Sequence, residues 1–265
     1  MKILTLICGI SLLVSCKKSN TIPLEQSTLI KATGDVQKTV QQPTVIKATG
    51  NIQKAVDAFR SSLGPLNTTP GATGGRREIN WDALPDSLEN KPLPANLFNP
   101  TGENANTLMQ RGAVYSTTGS FMISSDGFAA INSEAASEFS AFSGTKTFAN
   151  TTAAKWDVKF QKAGTTESAS VQSFGLVFSD VDKENTTSLE FFNGNKSLGK
   201  YFVPAHNANT SFSFLALQFK NNEHITKVTV RHDGFLAEGT NDVSEGGTRD
   251  LIVLDDFIYS EPVTQ

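Results

Sequence analysis

Cysteine is almost absent from the 265-residue chain: there are two, Cys8 and Cys16, both close to the N-terminus. No disulfide framework is available to the rest of the sequence, so an exported domain built from it is held by its core alone. Histidine is scarce as well. His206, His224 and His232 lack a metal-ligand spacing such as H-E-x-x-H, and there is no Gly-x-Ser-x-Gly elbow. These gaps remove the familiar zinc and serine-nucleophile arrangements, so the expectation is a non-enzymatic protein. A hydrolase using two unrecognised carboxylates is the third-ranked alternative. Basic residues are outnumbered, 23 Lys and Arg against 26 Asp and Glu, which argues against a nucleic-acid partner. Two tryptophans and three tyrosines stand beside 18 phenylalanines, so aromatic side chains mainly fill a core.

What is present begins with an export signal. Lys2 is followed by an apolar run, Ile3–Val14, too short to span a bilayer as a helix but of signal-peptide length. Leu13-Val14-Ser15-Cys16 then resembles the lipobox of bacterial lipoproteins. That resemblance implies removal of residues 1–15 as a signal peptide, and a lipidated Cys16 at the new N-terminus. Cys8 leaves with the signal. The 23 basic residues less Lys2 leave 22 against 26 acidic, a net charge of −4, so lipid rather than charge makes the membrane attachment. Lys17-Lys18 is compatible with the outer membrane in the lipoproteins it resembles. The expected location is the cell envelope, facing either the periplasm or the outside.

Residues 16–45 are polar, rich in Thr, Gln and Lys, and read as a flexible tether. Ile30–Val40 recurs, with a few replacements, as Ile46–Val56. In the second copy Ile52, Val56, Phe59 and Leu63 share one helical face, Thr49 or Asn51 supplies a cap, and Gly64-Pro65 stops the chain, so a helix is expected within 46–65. Pro43 cuts the first copy short, marking it as a degenerate duplication. Residues 66–75 read as a flexible Gly, Pro, Thr and Asn linker.

From 76 to 262 the pattern is short strands with turn chemistry between them. Trp156, Val158 and Phe160 alternate with Asp157, Lys159 and Gln161, as a half-buried antiparallel strand does, and Phe174, Leu176 and Phe178 are read the same way. Asn193-Gly194 makes a hairpin turn between the strand at Leu189–Phe191 and its return over Leu198–Val203. Phe212–Phe219 changes phase at Phe214-Leu215, which calls for a bulge or burial on both sides. The fold class is all-β, an antiparallel sandwich of jelly-roll, galactose-binding-like or concanavalin-like type. The closing run Leu251–Tyr259 is apolar on both alternating faces, with Asp255 and Asp256 placing one carboxylate on each.

Gly75–Asp82, Arg111–Thr117, Phe174–Asp182 and Leu254–Tyr259, with the preceding Ala48–Arg60 segment, resemble a family of uncharacterised bacterial secreted proteins. The likeness covers most of 46–262 and implies no activity, because none is assigned to that family. Ser260-Glu261-Pro262 stands where Gly-Glu-Pro is expected. A looser, fold-level analogy links the closing Asp pair to jelly-roll carbohydrate-binding and adhesion modules with a structural calcium.

Carboxylates supply the site candidates. Asp180 and Asp182 offer oxygens at alternate positions, suited to a calcium loop or to a solvated acidic turn. Asp255 and Asp256, in a buried strand, need a partner. Backbone N–H groups, an arginine such as Arg76, Arg77 or Arg111, or a calcium shared with Asp82 would each serve. Asp250 reads as a solvated turn residue. Trp81 is the better placed of the two tryptophans for stacking on a sugar. The functional expectation is a lipid-anchored binding module for carbohydrate, with a structural calcium. The alternative is a structural or adhesive protein whose partner is another protein.

Overall fold

The computed structural model describes residues 42–116, 118–220 and 223–265. Cys16, the signal peptide and the first repeat copy lie outside the described residues. Among the described residues, twelve strands form two antiparallel sheets, accompanied by one α-helix and short 3-10 turns, the expected all-β sandwich. The larger sheet runs β1 (Thr44–Thr49), β10 (Phe212–Gln218), β7 (Ser173–Ser179), β12 (Val253–Ser260), β5 (Thr147–Asn150), β4 (Phe121–Ser124), and β2 (Arg76–Ile79) also pairs with β12. The smaller runs β3 (Ala113–Tyr115), β6 (Lys155–Phe160), β11 (Lys227–Arg231), β8 (Ser188–Asn193), β9 (Lys196–Phe202).

The main core fills the space between the sheets. Leu176, Phe178, Leu215, Leu217, Leu254 and Phe257 from one sheet meet Trp156, Val158, Leu189, Phe191, Val228 and Val230 from the other. The outer face of the larger sheet is covered too. Helix α1 (Gln53–Leu63) lays Val56 and Phe59, with Ile52 just before it, on Val177, Phe214, Ala216 and Ile258. This two-sided burial explains the phase change in β10. Phe214 and Ala216 face the helix, Leu215 and Leu217 face the sandwich, and β10 keeps an unbroken register with both neighbours. Gly175 leaves room for the helix: a Cβ there would stand 2.8 Å from both Phe59 Cε1 and Ala216 Cβ.

Three readings of the sequence need correction. Thr44–Ala48, expected as tether and helix, forms most of edge strand β1, so the sandwich begins well before residue 76. Residues 66–75 are pinned rather than free. Arg77, fully buried, makes paired bonds to Glu261 (2.6 and 2.8 Å) and donates to the carbonyls of Asn67 and Thr69. The third correction concerns β12. Leu254 pairs with Phe178 and Phe257 with Leu176, so Asp255 and Asp256 together oppose one residue in a β-bulge. The bulge shifts the alternation: Ile252, Leu254, Phe257 and Tyr259 all reach the main core, while Leu251 and Val253 pack elsewhere.

Candidate functional site

The bulge sends both carboxylates to one loop. Asp255 accepts the N–H groups of Phe142 (2.5 Å) and Ser143 (2.9 Å), and Asp256 accepts the Ser143 hydroxyl at 2.6 Å. The arginine partner is Arg60 of α1, 2.6 Å from Asp256, and not Arg76, Arg77 or Arg111. Those three are engaged with Glu78, Glu261 and the Glu78 carbonyl respectively. Asp82 takes the same loop two residues on, accepting from Thr145 (2.6 Å) and Lys146 (3.2 Å). Asp82, Asp255 and Asp256 thus clasp residues 142–146 and tie the last strand to the beginning of the domain. Burial, with the Asp256 charge adding to it, pushes Asp255 up to about 8.

Trp81 is not a sugar platform. It is 1 % exposed, stacks on Phe148 at 3.9 Å, and donates Nε1–H to the bulged carbonyl of Asp255 at 2.8 Å. Its φ of 70° is uncommon for a bulky residue, and the stack and hydrogen bond hold it there. Trp156, Tyr115 and Tyr259 are buried as well, which leaves no flat exposed pair of Trp or Tyr rings among them.

Asp180 and Asp182 follow the end of β7, with Val181 buried in the core between them. Asp180 sits in the left-handed region (φ 68°), which aspartate tolerates. Its neighbour in space is Asp242, from the loop before β12. One oxygen each from Asp180, Asp182 and Asp242 lie within 4.8 Å of one another, and all three residues are buried. Asp242 is fixed by the N–H of Leu251 (2.6 Å) and of Ser244 (2.8 Å). Asp250 is fully buried, contrary to expectation, and braces the group by accepting the N–H of Asp182 and Lys183 (both 3.1 Å) and the Thr186 hydroxyl. Glu138 adds a fifth carboxylate beside Ser244, 3.1 Å from its hydroxyl.

No ion pair reaches Asp180, Asp182, Asp242 or Asp250 among the described residues; Lys183 and Arg249, the nearest cations in sequence, pair with Asp233 and Glu238. Burial first, and the neighbouring carboxylates second, push Asp180 up to about 9 and Asp182 up to about 6. Asp242 sits sixty residues from Asp182, in a Glu238–Asp242 loop that reads in sequence either as ligand-binding or as ordinary surface, and nothing there pointed to Asp180 and Asp182.

A separate pocket of about 350 Å³ opens beside β2 and the pinned 66–75 segment. It is lined by Leu66 and Leu108, two of the three exposed large hydrophobic residues among those described, at 46 and 56 % exposure. Asn80, Asn106 and Arg111 supply polar groups. Arg111 is positioned by the Leu108 and Glu78 carbonyls and lies 5.2 Å over the Phe98 ring. Compared with known proteins, the chain matches no family model, no curated protein and no solved structure.

Proposed function

We propose that the protein is a non-enzymatic binding module, held at the cell envelope by a lipid on Cys16, that takes a small carbohydrate-type ligand in the pocket beside β2. The observation that carries this reading is the pocket's make-up. Exposed Leu66 and Leu108 offer apolar surface, while asparagine amides and a positioned guanidinium both suit hydroxyl-bearing ligands. No helix among the described residues is long and apolar enough to cross a membrane, so the reading assigns attachment to the lipid.

A non-enzymatic role is supported by how the chemically capable groups are housed. The hydroxyl of Ser170 lies 3.4 Å from His224 Nδ1, yet Ser170 is fully buried. Asp180 and Asp242 are buried out of reach of a polymeric substrate. His232 is also buried, its ring bonded to the Gly234 carbonyl, and burial depresses its pKa to about 4.

The competing reading, a protein partner, draws on edge strand β1, where Val45 is 40 % exposed. A glycan array probed with the full-length protein separates the two. Binding that falls at least tenfold in Leu108→Asp, and is indifferent to Val45→Lys, supports the pocket. An array without hits, or hits unaffected by Leu108→Asp, removes the pocket from the account.

A further inference from the structure

The buried acidic group after β7 remains after the clasp and the pocket are accounted for, and it is independent of the ligand-binding reading. We infer that Asp180, Asp182 and Asp242 form a calcium site that staples the turn after β7 to the loop before β12. Two observations point to a ligand rather than to a chance meeting of acids. Both carboxylate oxygens of Asp180, a fully buried residue, accept no hydrogen bond, and Asp182, 7 % exposed, has the Ser244 hydroxyl and the Asp242 carboxyl as its polar neighbours. A buried carboxylate without a donor or counter-ion must either keep a proton or take a cation. The third carboxylate converges on them from sixty residues away, held by two backbone N–H groups that orient it without neutralising it.

The chemistry of the donors selects the ion. All are carboxylate oxygens, with no histidine or thiolate in the group, which favours a hard cation over zinc or copper. The three oxygens lie within 4.8 Å of one another, close enough to share one cation at calcium–oxygen distances of about 2.3–2.6 Å. Magnesium, at about 2.1 Å, needs a tighter octahedron and usually takes only one or two carboxylates. Asp250 and Glu138 stand behind the three. Asp250 holds the backbone of 182–183, and Glu138 shares Ser244 with Asp242. They act as positioning residues that add negative potential.

The test is thermal unfolding of the full-length protein, first stripped with chelator and then supplied with calcium or magnesium. Calcium at a hundredfold excess over its dissociation constant raises Tm by roughly 5–10 °C, and magnesium at the same concentration does much less. Asp180→Asn removes the calcium response, and Asp255→Asn retains it because the clasp is separate. An unchanged Tm of the unaltered protein with and without calcium overturns the inference, whether or not any variant folds. A calcium response that survives Asp180→Asn but disappears in Asp255→Asn overturns it as well, by moving the ion to the clasp.

Discussion

Asp255 shows how a single residue in this chain answers to its surroundings. Its carboxyl is pushed from 3.8 up to about 8, because burial and the Asp256 charge outweigh the two N–H groups it accepts. Between those values the folded protein holds a proton that the unfolded chain releases. The folded state therefore binds more protons there, and stability falls as pH rises toward 8. Asparagine at 255 keeps the acceptor and removes the charge. Relative to the unaltered protein, Asp255→Asn gains Tm between pH 5 and pH 9, measured with calcium saturating in both. Parallel pH profiles would contradict the assignment. Arg77 is the opposite case, a buried cation that is fully partnered. Its loss leaves Glu261 buried without a counter-charge, so Arg77→Ala costs about 3–5 kcal/mol in chemical denaturation.

At the scale of elements, β1 and α1 act as one unit, a strand on the edge of the large sheet followed by a helix folded over its outer face. Phe59 is fully buried there, edge-to-face with Phe214 at 5.8 Å, and Phe59→Ala is expected to cost about 3–5 kcal/mol. The first repeat copy has Pro43 where the second has Phe59, and Thr44 where the second has Arg60. It lacks both the core anchor and the partner of Asp256. Deleting residues 28–40 should leave the unfolding midpoint within the error of the measurement, and a loss of several degrees would show the first copy to be part of the fold.

Local pattern and tertiary geometry divided the elements between them. Alternation in β6 is a consequence of neighbouring residues and was legible in sequence. Strand β7, expected to be half-buried, is buried on both faces, and the hairpin turn expected at Asn193-Gly194 falls one residue on, at Gly194-Asn195 between the paired Asn193 and Lys196. Strand β1 was not legible, because Thr44–Thr49 is half exposed and its strand character comes from pairing with β10. The bulge at Asp255-Asp256 was hidden for the same reason. Two adjacent acids read as opposite faces until the partner strand is seen to skip a position. Asp180 and Asp182 were legible as a pair with calcium-loop spacing, but Asp242, Asp250 and Glu138 meet them only through the fold.

Across the whole molecule, β12 runs from the acidic group through the clasp to the side of the pocket. Its beginning follows the loop that carries Asp242. Its middle is clasped through Asp255 and Asp256. Its end runs beside β2 and the pocket, where the Tyr259 hydroxyl donates to the Arg111 carbonyl at 3.0 Å. A cation at the acidic group would thus fix the start of the strand whose far end is bonded to Arg111, a residue of the pocket. The most direct measurement is a calorimetric titration of calcium into the chelator-treated full-length protein, repeated with Asp180→Asn. One calcium bound per chain in the unaltered protein, and none in the variant, is the expected result. No binding heat in the unaltered protein, or the same single site in both, would contradict the account.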